Sequence, residues 1–541
     1  MKLVPLMRRG RLVLVYPFLG AAYPLLALFA ANAGEGVRAS ELLLPLGLTF
    51  TITSLAWLIA RLLTPDPHRQ AICALLWGIW FNSYGQLVAL GERLGPSAVW
   101  GDDRLLLPAS MGAVAICCRA VLRSGSAFDQ ASKSLNLLAC ALLVIPGLTY
   151  VGAADRAQRV AGHGPLRWEA GPVPSTPSDQ KPRRRPDVYY ILLDAYTGSR
   201  SLRSNYEFDN TEFEDFLRSR GFFVPRASRS NYANTFLALA AALNWEYLDW
   251  LTEELGPKSR DRGVPYAMVE DSRVMRFLKA QGYQFVFFPT PFGATAHNRY
   301  ADEVLPGGSR GPEDSQSPPP SFHAFAAVWL TTTPSRPLIE WTCALLDCSG
   351  DGLPFVPEAP ELFRWKFEQI GRLAQQPGPK FVFAHLLLPH EPYVFRSDCS
   401  TKPLRWPPRI DEAEDRRLRV EYVDQVRCVN RQVAALVERL LRDSAQPPVI
   451  ILQADHGNGR FVFGRPPAIT EISKEQLTER TDIFAAYYLP EGGDAELYDS
   501  ISPINVFPAV LRHYFGATLP RLEDRSYYSA WASPYLFTRL R

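Results

Sequence analysis

The stretch PPVIILQADHGNGRF, residues 447–461, joins a short apolar run to an acid and an imidazole. A run of four apolar residues, 449–452, bounded by Pro and Gly is typical of a central strand in a parallel sheet. Such sheets bind their ligands beyond the carboxyl ends of the strands. Asp455 and His456 therefore occupy the position at which an α/β protein performs its chemistry. The alternative interpretation is a turn in which Asp455 caps a loop and His456 is solvated.

The first third of the chain is a series of apolar segments, each close to the ~20 residues that span a bilayer. They cover residues 12–31, 42–63, 71–90, 105–122 and 135–154. The fourth is the weakest because it contains Arg119. One segment follows another without a small-residue cleavage site, which argues against a cleaved signal peptide. The sequence therefore predicts an N-terminal bundle of five transmembrane helices over residues 1–155.

Lys and Arg residues near the segment ends predict the orientation of these helices. Basic residues at the N-terminus and at the ends of segments two and four outnumber those in the alternate loops. They are Lys2, Arg8, Arg9, Arg11, Arg61, Arg69, Arg119, Arg123 and Lys133, against Arg38, Arg93 and Arg104. We therefore expect a bacterial inner-membrane protein with a cytoplasmic N-terminus, whose chain after about residue 155 lies in the periplasm.

Residues 156–186 are rich in Pro, Gly and Arg and predict a linker along the membrane surface. The basic run 183–185 within it either lies on anionic lipid headgroups or is solvated. The formal net charge of the whole chain is only +3, which gives no case for nucleic-acid binding.

Four cysteines follow the linker: Cys343, Cys348, Cys399 and Cys428. An even number in an oxidising compartment predicts two disulfides. Three pairings can be drawn, and Cys343–Cys348 with Cys399–Cys428 is the preferred one. A zinc site built from these cysteines is the weaker alternative, because no CxxC motif occurs in this half of the chain.

Strand-like and helix-like stretches alternate from residue 187 onward. The predicted strands are 187–193, 284–288, 381–388, 449–452 and 484–489. The predicted helices are 202–220, 271–282, 361–375, 411–442 and 503–515. This alternation predicts an α/β domain over residues 187–541, with a largely parallel central sheet flanked by helices. Residues 289–360, with many Pro, Gly and Ser, are expected to form a long insertion or lid.

Four polar residues fall at predicted strand or helix ends: Asp194, Thr235, Asp455 and His456. Thr235 begins a helix whose free N–H groups and dipole favour an anion such as a phosphate. Two carboxylates, an imidazole and a hydroxyl form a ligand set for a divalent metal. The metal would lower the pKa of the hydroxyl and polarise a phosphoryl oxygen. The structural alternatives are a turn role for Asp194 and a helix cap at Thr235 or Asn234.

The motifs PDVYYILLDAY, NYANTFLALAAALN, FAHLLLPHEPYVF and ILQADHG, in this order, resemble the alkaline-phosphatase superfamily. TDIFAAYYLP and ISPINVFPAVLRHYFG resemble the usual C-terminal part of its domain. Behind five membrane segments, the set is most similar to the sulfatase-like membrane branch, which includes lipoteichoic acid synthases and phosphoethanolamine transferases. The resemblance covers the topology and residues 186–530, and it implies an alkaline-phosphatase-like fold.

The resemblance also implies a role for each matched residue. Asp194, Asp455 and His456 would bind the metal, and Thr235 would be both a ligand and the nucleophile. Mn²⁺ or Zn²⁺ fits three oxygens and one nitrogen better than Mg²⁺ does. The lipoteichoic acid synthases place Glu at the position of Asp194, so the oxygen ligand is kept and only the reach of the side chain differs.

Further candidate residues lie outside this quartet. His390 matches a histidine that family members use near the substrate's phosphate or leaving group, whereas His385 is interpreted as a core histidine. His297 and Arg299, in the expected lid, are candidate substrate-binding residues, with a solvated loop as the alternative. The segment TTPSR, residues 332–336, mimics the sulfatase formylglycine motif. Its nucleophile position holds Thr and it lies too far along the chain from Asp194, which argues against an ordinary sulfatase.

These features together predict a membrane-anchored, metal-dependent transferase. It would move a phosphate-linked head group, of phosphoglycerol or phosphoethanolamine type, from a lipid donor to a glycan or lipid acceptor by way of a phospho-threonine. The expected partners are the bilayer, the donor lipid and the acceptor. The alternatives are a phosphoric or sulfuric ester hydrolase of the same superfamily and a catalytically silent membrane scaffold. The head group, the acceptor and the oligomeric state are left open by the sequence.

Overall fold

The computed structural model describes residues 13–33, 37, 39–94, 103–162, 185–305, 324–346, 360–402, 412–460 and 466–540. The helices are α1 Tyr16–Ala31, α2 Leu43–Leu63, α3 Pro67–Leu94, α4 Asp103–Arg123, α5 Asp129–Gly162, α6 Ser199–Tyr206, α7 Thr211–Ser219, α8 Thr235–Asn244, α9 Trp250–Leu255, α10 Gly263–Glu270, α11 Arg273–Ala280, α12 Ala324–Thr331, α13 Ser335–Leu346, α14 Pro360–Arg372, α15 Glu412–Asp443, α16 Lys474–Thr481 and α17 Val506–Phe515. The strands are β1 Val188–Leu193, β2 Gln284–Phe288, β3 Glu303–Val304, β4 Lys380–Leu386, β5 Val449–Gln453, β6 Ala485–Tyr488, β7 Tyr527–Ala530 and β8 Ser533–Arg539.

The chain divides into two units, the first of which contains the apolar helices of the N-terminal part. Four of the predicted membrane segments form helices long and apolar enough to cross a membrane: Ala39–Leu63, Pro67–Leu90, Asp103–Arg123 and Asp129–Gly152. The remaining one forms α1, which is apolar but has only 16 residues. Helix α3 packs against α1, α2 and α4, and Asn136 of α5 accepts a hydrogen bond from the Tyr16 backbone N–H of α1.

Residues 323–345 also belong to this first unit. The sequence placed them within the outer domain, as part of an expected insertion or lid over residues 289–360. The described part of that stretch contains strand β3 of the central sheet and the helices α12 and α13, and these two helices contact the apolar N-terminal helices. This packing was not predicted, because composition reveals an irregular connection but does not show which distant surface a short apolar helix will cover.

The second unit contains the predicted α/β domain. Its six-stranded sheet has the order β3-β2-β4-β1-β5-β6, parallel throughout except for β6. Every residue of β1, β4 and β5 is buried, as expected for strands covered on both faces. The five predicted strands are all present. A separate two-stranded sheet, β7-β8, lies near the C-terminus.

One helix of this unit differs from its prediction. The stretch 202–220 forms two helices, α6 and α7, rather than one. Glu207 ends α6 in the left-handed conformation, with a φ of 52°, and its backbone N–H bonds to the Leu202 carbonyl. A single left-handed residue ends a helix in this way, and the composition of the segment gave no sign of it.

Two features of the second unit position the site described next. Strands β1 and β5 are neighbours in register, with Leu192 opposite Gln453, so their carboxyl ends meet at one edge of the sheet. Helix α8 has all ten residues buried, which fixes its N-terminal residue rigidly. Helix packing of this kind holds a functional group in place more firmly than a surface loop does.

Candidate active site

Strand β5, Val449–Gln453, ends as predicted at the carboxyl edge of the sheet. Asp455 and His456 follow β5 and are almost fully buried. Gly457 is required at the next position, since a Cβ there would lie 1.9 Å from the Glu479 carbonyl oxygen. The backbone can therefore turn against α16 only through glycine.

Three candidate metal ligands converge at this edge. Asp194 follows β1, and the ligand atoms of Asp194, Asp455 and His456 all lie within 4.8 Å of one another. His456 Nε2 lies 3.2 Å from Asp455 Oδ2 and 3.7 Å from Asp194 Oδ1. The residues that sequence reasoning chose as ligands thus lie together although their positions are some 260 residues apart.

The polar atoms of this cluster suit a cation. Asp194 Oδ1 and Asp455 Oδ2 are buried and have no hydrogen-bond partner among the residues that the structure describes. A buried carboxylate oxygen without a partner is costly unless a cation or a donor satisfies it. His456 Nδ1–H donates to the Gly457 carbonyl oxygen at 3.0 Å, which leaves the Nε2 lone pair directed at the carboxylates. The side chains present therefore fit a bound divalent metal.

Thr235 completes the predicted quartet. Its Oγ1 lies 3.0 Å from His456 Nε2 and donates a hydrogen bond to it. Thr235 is the first residue of α8 and not its cap. Asn234 holds the cap position but its side chain does not cap the helix, because it donates to the Ser529 carbonyl and hydroxyl oxygens. The ordinary helix-cap interpretation of these two residues therefore does not describe their contacts.

The ionisation of the cluster follows from burial and mutual repulsion. Burial and the charge of Asp194 raise the pKa of Asp455 to about 6. Burial alone would raise the pKa of Asp194 as well, but the imidazoles of His390 and His385 outweigh it and lower that pKa. Burial and the positive charge of Arg480 hold the pKa of His456 well below its usual value, so its imidazole is neutral, the form that binds metals.

His385 lies in the site, contrary to its interpretation as a core histidine. It is fully buried, but its Nε2 lies 3.3 Å from Asp194 Oδ2. Its Nδ1 shares a hydrogen bond with Thr295 Oγ1 at 2.8 Å. Leu192 of β1 is the register partner of His385 in β4, so both strands deliver side chains to one edge of the sheet. Burial, which suggested a core role, is also the environment of the ligands themselves.

His390 lies on the chain that leaves β4. Its Nδ1–H donates to the Glu391 carbonyl oxygen at 2.6 Å, so Nε2 is the ring nitrogen that remains for proton transfer. Burial disfavours the charged imidazole, but the negative charges of Asp194 and Glu391 outweigh it and raise the pKa of His390. The role of His390 near the substrate's phosphate or leaving group remains a prediction.

Sequence reasoning missed Arg480, whose buried guanidinium joins the parts of the site. Its Nε donates to the Ala233 carbonyl at 2.8 Å, and Nη1 donates to the carbonyls of Gly457 and Asn458 at 3.2 and 3.0 Å. Nη2 lies 3.0 Å from His456 Nε2. One residue thus ties the loop before Thr235 to the loop after His456. The signal that could have found it is its position immediately before the TDIFAAYYLP motif.

The turn that carries Asp194 is held by a second layer of residues. Ala195 has a φ of 59°, unusual for a residue other than glycine. Its N–H donates to Asp455 Oδ1 at 3.2 Å, and the Tyr422 hydroxyl donates to its carbonyl at 2.8 Å. Asp455 therefore uses one oxygen to fix the neighbouring turn and keeps the other for the centre of the site.

His297 and Arg299, the two predicted substrate-binding residues, contact Glu270. Arg299 Nη2 lies 3.2 Å from Glu270 Oε2, and His297 Nε2 lies 3.8 Å from Glu270 Oε1. Both side chains are largely exposed. Their substrate-binding role remains a prediction.

The disulfide prediction is confirmed for one pair. Cys399 and Cys428 form a disulfide that links the segment after β4 to α15. The other preferred pair cannot be compared, because Cys348 lies outside the described residues.

Comparisons with known proteins find similarity in structure only. No family model matches the chain, and no curated protein matches it. The C-terminal periplasmic domain of EcEptC from Escherichia coli is 14% identical with a TM-score of 0.41, covering 68% of this chain and 96% of that one. Its complex with Zn is 13% identical with a TM-score of 0.42, covering 68% and 94%.

Two further solved structures extend this similarity. The integral membrane protein lipooligosaccharide phosphoethanolamine transferase A (EptA) from Neisseria meningitidis is 11% identical with a TM-score of 0.37, covering 92% of this chain and 95% of that one. A protein in the alkaline phosphatase superfamily from Vibrio parahaemolyticus is 13% identical with a TM-score of 0.38, covering 70% and 81%. All four structures are less than 25% identical to this chain and match it with TM-scores below 0.5.

Proposed function

We propose that this protein is a metal-dependent transferase of the bacterial inner membrane with its active site in the periplasm. It moves a phosphate-linked head group, of phosphoglycerol or phosphoethanolamine type, from a donor lipid to an alcohol on a glycan or lipid acceptor. The observation that carries the proposal is the contact between Thr235 Oγ1 and His456 Nε2 beside two unsatisfied carboxylate oxygens. A hydroxyl at a helix N-terminus next to a metal-binding set suits phosphoryl transfer.

Asp194, Asp455, His456 and Thr235 would hold the metal, and Mn²⁺ or Zn²⁺ suits three oxygens and one nitrogen. Such an ion supplies a lower pKa for the threonine hydroxyl and polarisation of a phosphoryl oxygen. His385 supports this arrangement from behind by its contact with Asp194, since groups that orient metal ligands set their reach and basicity.

In the first step the Thr235 hydroxyl gives its proton to water and its Oγ1 attacks phosphorus, and the bond between phosphorus and the oxygen of the lipid alcohol breaks. The backbone N–H groups of the first turn of α8 bind the phosphoryl oxygens, which develop charge as the reaction proceeds. His390 gives its Nε2 proton to the departing alcohol. The raised pKa of His390 favours the protonated imidazole that this step needs.

In the second step the acceptor hydroxyl attacks the phosphorus of the phospho-threonine, the bond to Thr235 Oγ1 breaks, and Oγ1 takes a proton back from water. His390 takes the proton of the acceptor hydroxyl and so returns to its starting state. Arg480 keeps the loop before Thr235 and the loop after His456 at a constant separation through both steps. Preorganised donors that need not move during the reaction lower its barrier.

The test is a product analysis of the full-length protein in proteoliposomes. Phosphatidylethanolamine and phosphatidylglycerol labelled in the head group are supplied in parallel, with and without a lipid acceptor that carries free hydroxyls. We expect diacylglycerol and labelled acceptor to form in equal amounts, and both to be lost when the metal is chelated. Label released only to water would identify a hydrolase, and metal-independent or absent turnover with both donors would overturn the proposal.

A further inference from the structure

Residues 289–360, which were expected to form an insertion or lid, contain a short apolar helix. Helix α12, AFAAVWLT, has no charged residue, and the turn TTPSR, residues 332–336, leads directly into α13. The chain on either side of this hairpin belongs to the second unit, whereas residues 323–345 pack in the first. The sulfatase-like motif thus spans the turn between the two helices and the first two residues of α13, and α12, the turn and α13 together make up the hairpin.

The first contact of the hairpin satisfies a polar group on an apolar helix. Asn82 lies within the α3 span Pro67–Leu90 and is buried. Its Oδ1 accepts a hydrogen bond from Trp329 Nε1 of α12 at 2.9 Å and another from Thr49 Oγ1 of α2 at 3.2 Å. Polar side chains within a membrane face protein partners that satisfy them. The hairpin is one of those partners.

The second contact is a close approach of backbones. Gly85 of α3 donates its N–H to the Thr332 carbonyl at 2.7 Å, and a Cβ on Gly85 would lie 2.9 Å from Thr332 Cα. Small residues that let backbones touch are typical of helix contacts within membranes. The hairpin therefore packs as a membrane helix does, rather than resting loosely on the surface.

The third contact is an ion pair. Arg336 Nη2 lies 2.6 Å from Asp103 Oδ2 at the start of α4, and both side chains are only 11% exposed. The Tyr84 hydroxyl donates to the other oxygen of Asp103 at 2.6 Å. The charge of the TTPSR turn is thereby paired within the first unit. A paired charge removes the main cost of placing this turn near hydrocarbon.

The level of these contacts follows from helix geometry. Asn82 and Gly85 precede Leu90, the last residue of the α3 span, by eight and five residues. At 1.5 Å of rise per residue they lie about 12 and 7 Å inside that end of the span. With a cytoplasmic N-terminus this end is in the outer leaflet. Val328 of α12 and Leu338 of α13 are 38% and 51% exposed.

We propose that residues 324–346 form a re-entrant hairpin whose exposed face, Val328 and Leu338, contacts the hydrocarbon of the outer leaflet. We assign lipid to this exposed face because the contacts of the hairpin with α3, at Asn82 and Gly85, lie well inside the end of that spanning helix. The exposed leucines of α2, such as Leu55 and Leu58, present the same kind of surface. The chain outside the cytoplasm therefore has an attachment to the bilayer besides its N-terminal helices.

The test measures the surroundings of single introduced cysteines in the full-length protein in proteoliposomes. Val328→Cys and Leu338→Cys report on the hairpin, and Leu536→Cys, at a position 59% exposed in β8, is the aqueous control. A charged, membrane-impermeant maleimide is added outside, and labelling is assigned by peptide mass so that native thiols are separate. We expect only the control to be labelled. Nitroxides at 328 and 338 should collide with oxygen more often than with a water-soluble nickel chelate.

A pair of glycine variants tests the seating of the hairpin. Gly85→Ala introduces the clashing Cβ, whereas Gly112→Ala on α4 meets nothing within 4 Å. In the Val328→Cys background we expect Gly85→Ala to raise maleimide labelling roughly tenfold by opening the hairpin locally, and Gly112→Ala to leave it unchanged. Labelling of residues 328 and 338 as fast as the control would place the hairpin in water and overturn the proposal. Protection from both maleimide and oxygen would also overturn it, in favour of a protein partner. None of these measurements needs turnover, so they are independent of the proposed chemistry.

Discussion

Thr235 Oγ1 and His456 Nε2 lie 3.0 Å apart, although 221 residues separate them in the sequence. The hydroxyl that would attack and the imidazole that would bind the metal thus share one position at the carboxyl edge of the sheet. The contact brings together the N-terminus of a buried helix and the end of a central strand. Each of the following predictions tests one part of this arrangement or of its setting.

Thr235→Ala should abolish turnover by several orders of magnitude, because the nucleophile itself is removed. Thr235→Ser should keep partial activity, since the hydroxyl remains and only the methyl group is lost. Mass spectrometry after trapping with labelled donor should place the phosphate on residue 235 of the wild type.

Ser272→Ala is the control for the Thr235 variants. Ser272 is a true helix cap that accepts from the Met275 N–H, so its loss should cost about 1 kcal/mol of stability and leave activity unchanged. Normal turnover of Thr235→Ala would contradict the mechanism.

Asp455→Asn should lower the metal content of the purified protein without unfolding it, because an amide oxygen is a weaker ligand than a carboxylate. Metal-free Asp455→Asn should unfold at a higher temperature than metal-free wild type. The variant lacks the repulsion from Asp194 that, with burial, raises the pKa of Asp455 to about 6. Elemental analysis and thermal unfolding measure the two effects. The exposed Asp209→Asn is the control, and full metal occupancy in Asp455→Asn would show that the ligands are misassigned.

Arg480→Gln should lower kcat on the order of 10²-fold, because an amide cannot hold the carbonyls of Ala233 and Asn458 together. It should at the same time tighten metal binding, since a positive charge beside the two carboxylates is removed. Titration of metal into the apo-protein and steady-state kinetics separate these effects. Arg442→Gln on the surface of α15 is the control. A parallel loss of metal affinity and activity would instead mean that Arg480 only supports the fold.

Replacing both Cys399 and Cys428 by Ser should lower the free energy of unfolding by about 2–4 kcal/mol, because the disulfide restricts the unfolded chain between α15 and the segment after β4. The measurement is the unfolding midpoint of the full-length protein in denaturant. Cys140→Ser, which removes a free and exposed thiol, should leave that midpoint where it is. An equal midpoint for all three proteins would argue that the bond does not form in the cell.

A reporter that is active only in the periplasm should be active when fused after Arg185 and inactive when fused after Arg123. The reason is the excess of Lys and Arg in the loops predicted to be cytoplasmic. A fusion after Leu94, at the end of α3, should also be active. The opposite pattern of activity would reverse the topology and place the site in the cytoplasm.

Sequence patterns predicted the parts of the site that depend on local order. The apolar run 449–452 could be assigned to a buried strand, and the sheet-edge rule then located Asp455 and His456. Thr235 was found because a polar residue preceded an unbroken apolar helix. The carboxylates and the imidazole could be joined in one site since parallel neighbours share an edge.

The parts that sequence patterns missed depend on contacts between distant residues. His385 is as buried as a core residue. Only its 3.3 Å contact with Asp194 shows that it belongs to the site rather than to the core. Arg480 lies in α16, 24 residues after His456, and reaches the site from there. Helices α12 and α13 carry apolar residues in a stretch dominated by Pro, Gly and Ser, so their composition resembled a loop. No local pattern encodes which surface such a hairpin covers.

The hydrogen bond from Trp329 to Asn82 also has a consequence for biosynthesis. The two residues are 247 positions apart, so at 5–20 residues per second the ribosome needs roughly ten seconds to a minute to produce the partner of Asn82. During that interval α3 is already synthesised, but the Asn82 side chain does not yet have the Trp329 indole as its hydrogen-bond donor. In the proposed topology residues 156–322, which precede the hairpin and belong to the second unit, are exported first. The assembly of the N-terminal helices is therefore completed only after translocation of the first half of the outer unit, which makes export and membrane assembly of this protein a single, interdependent process.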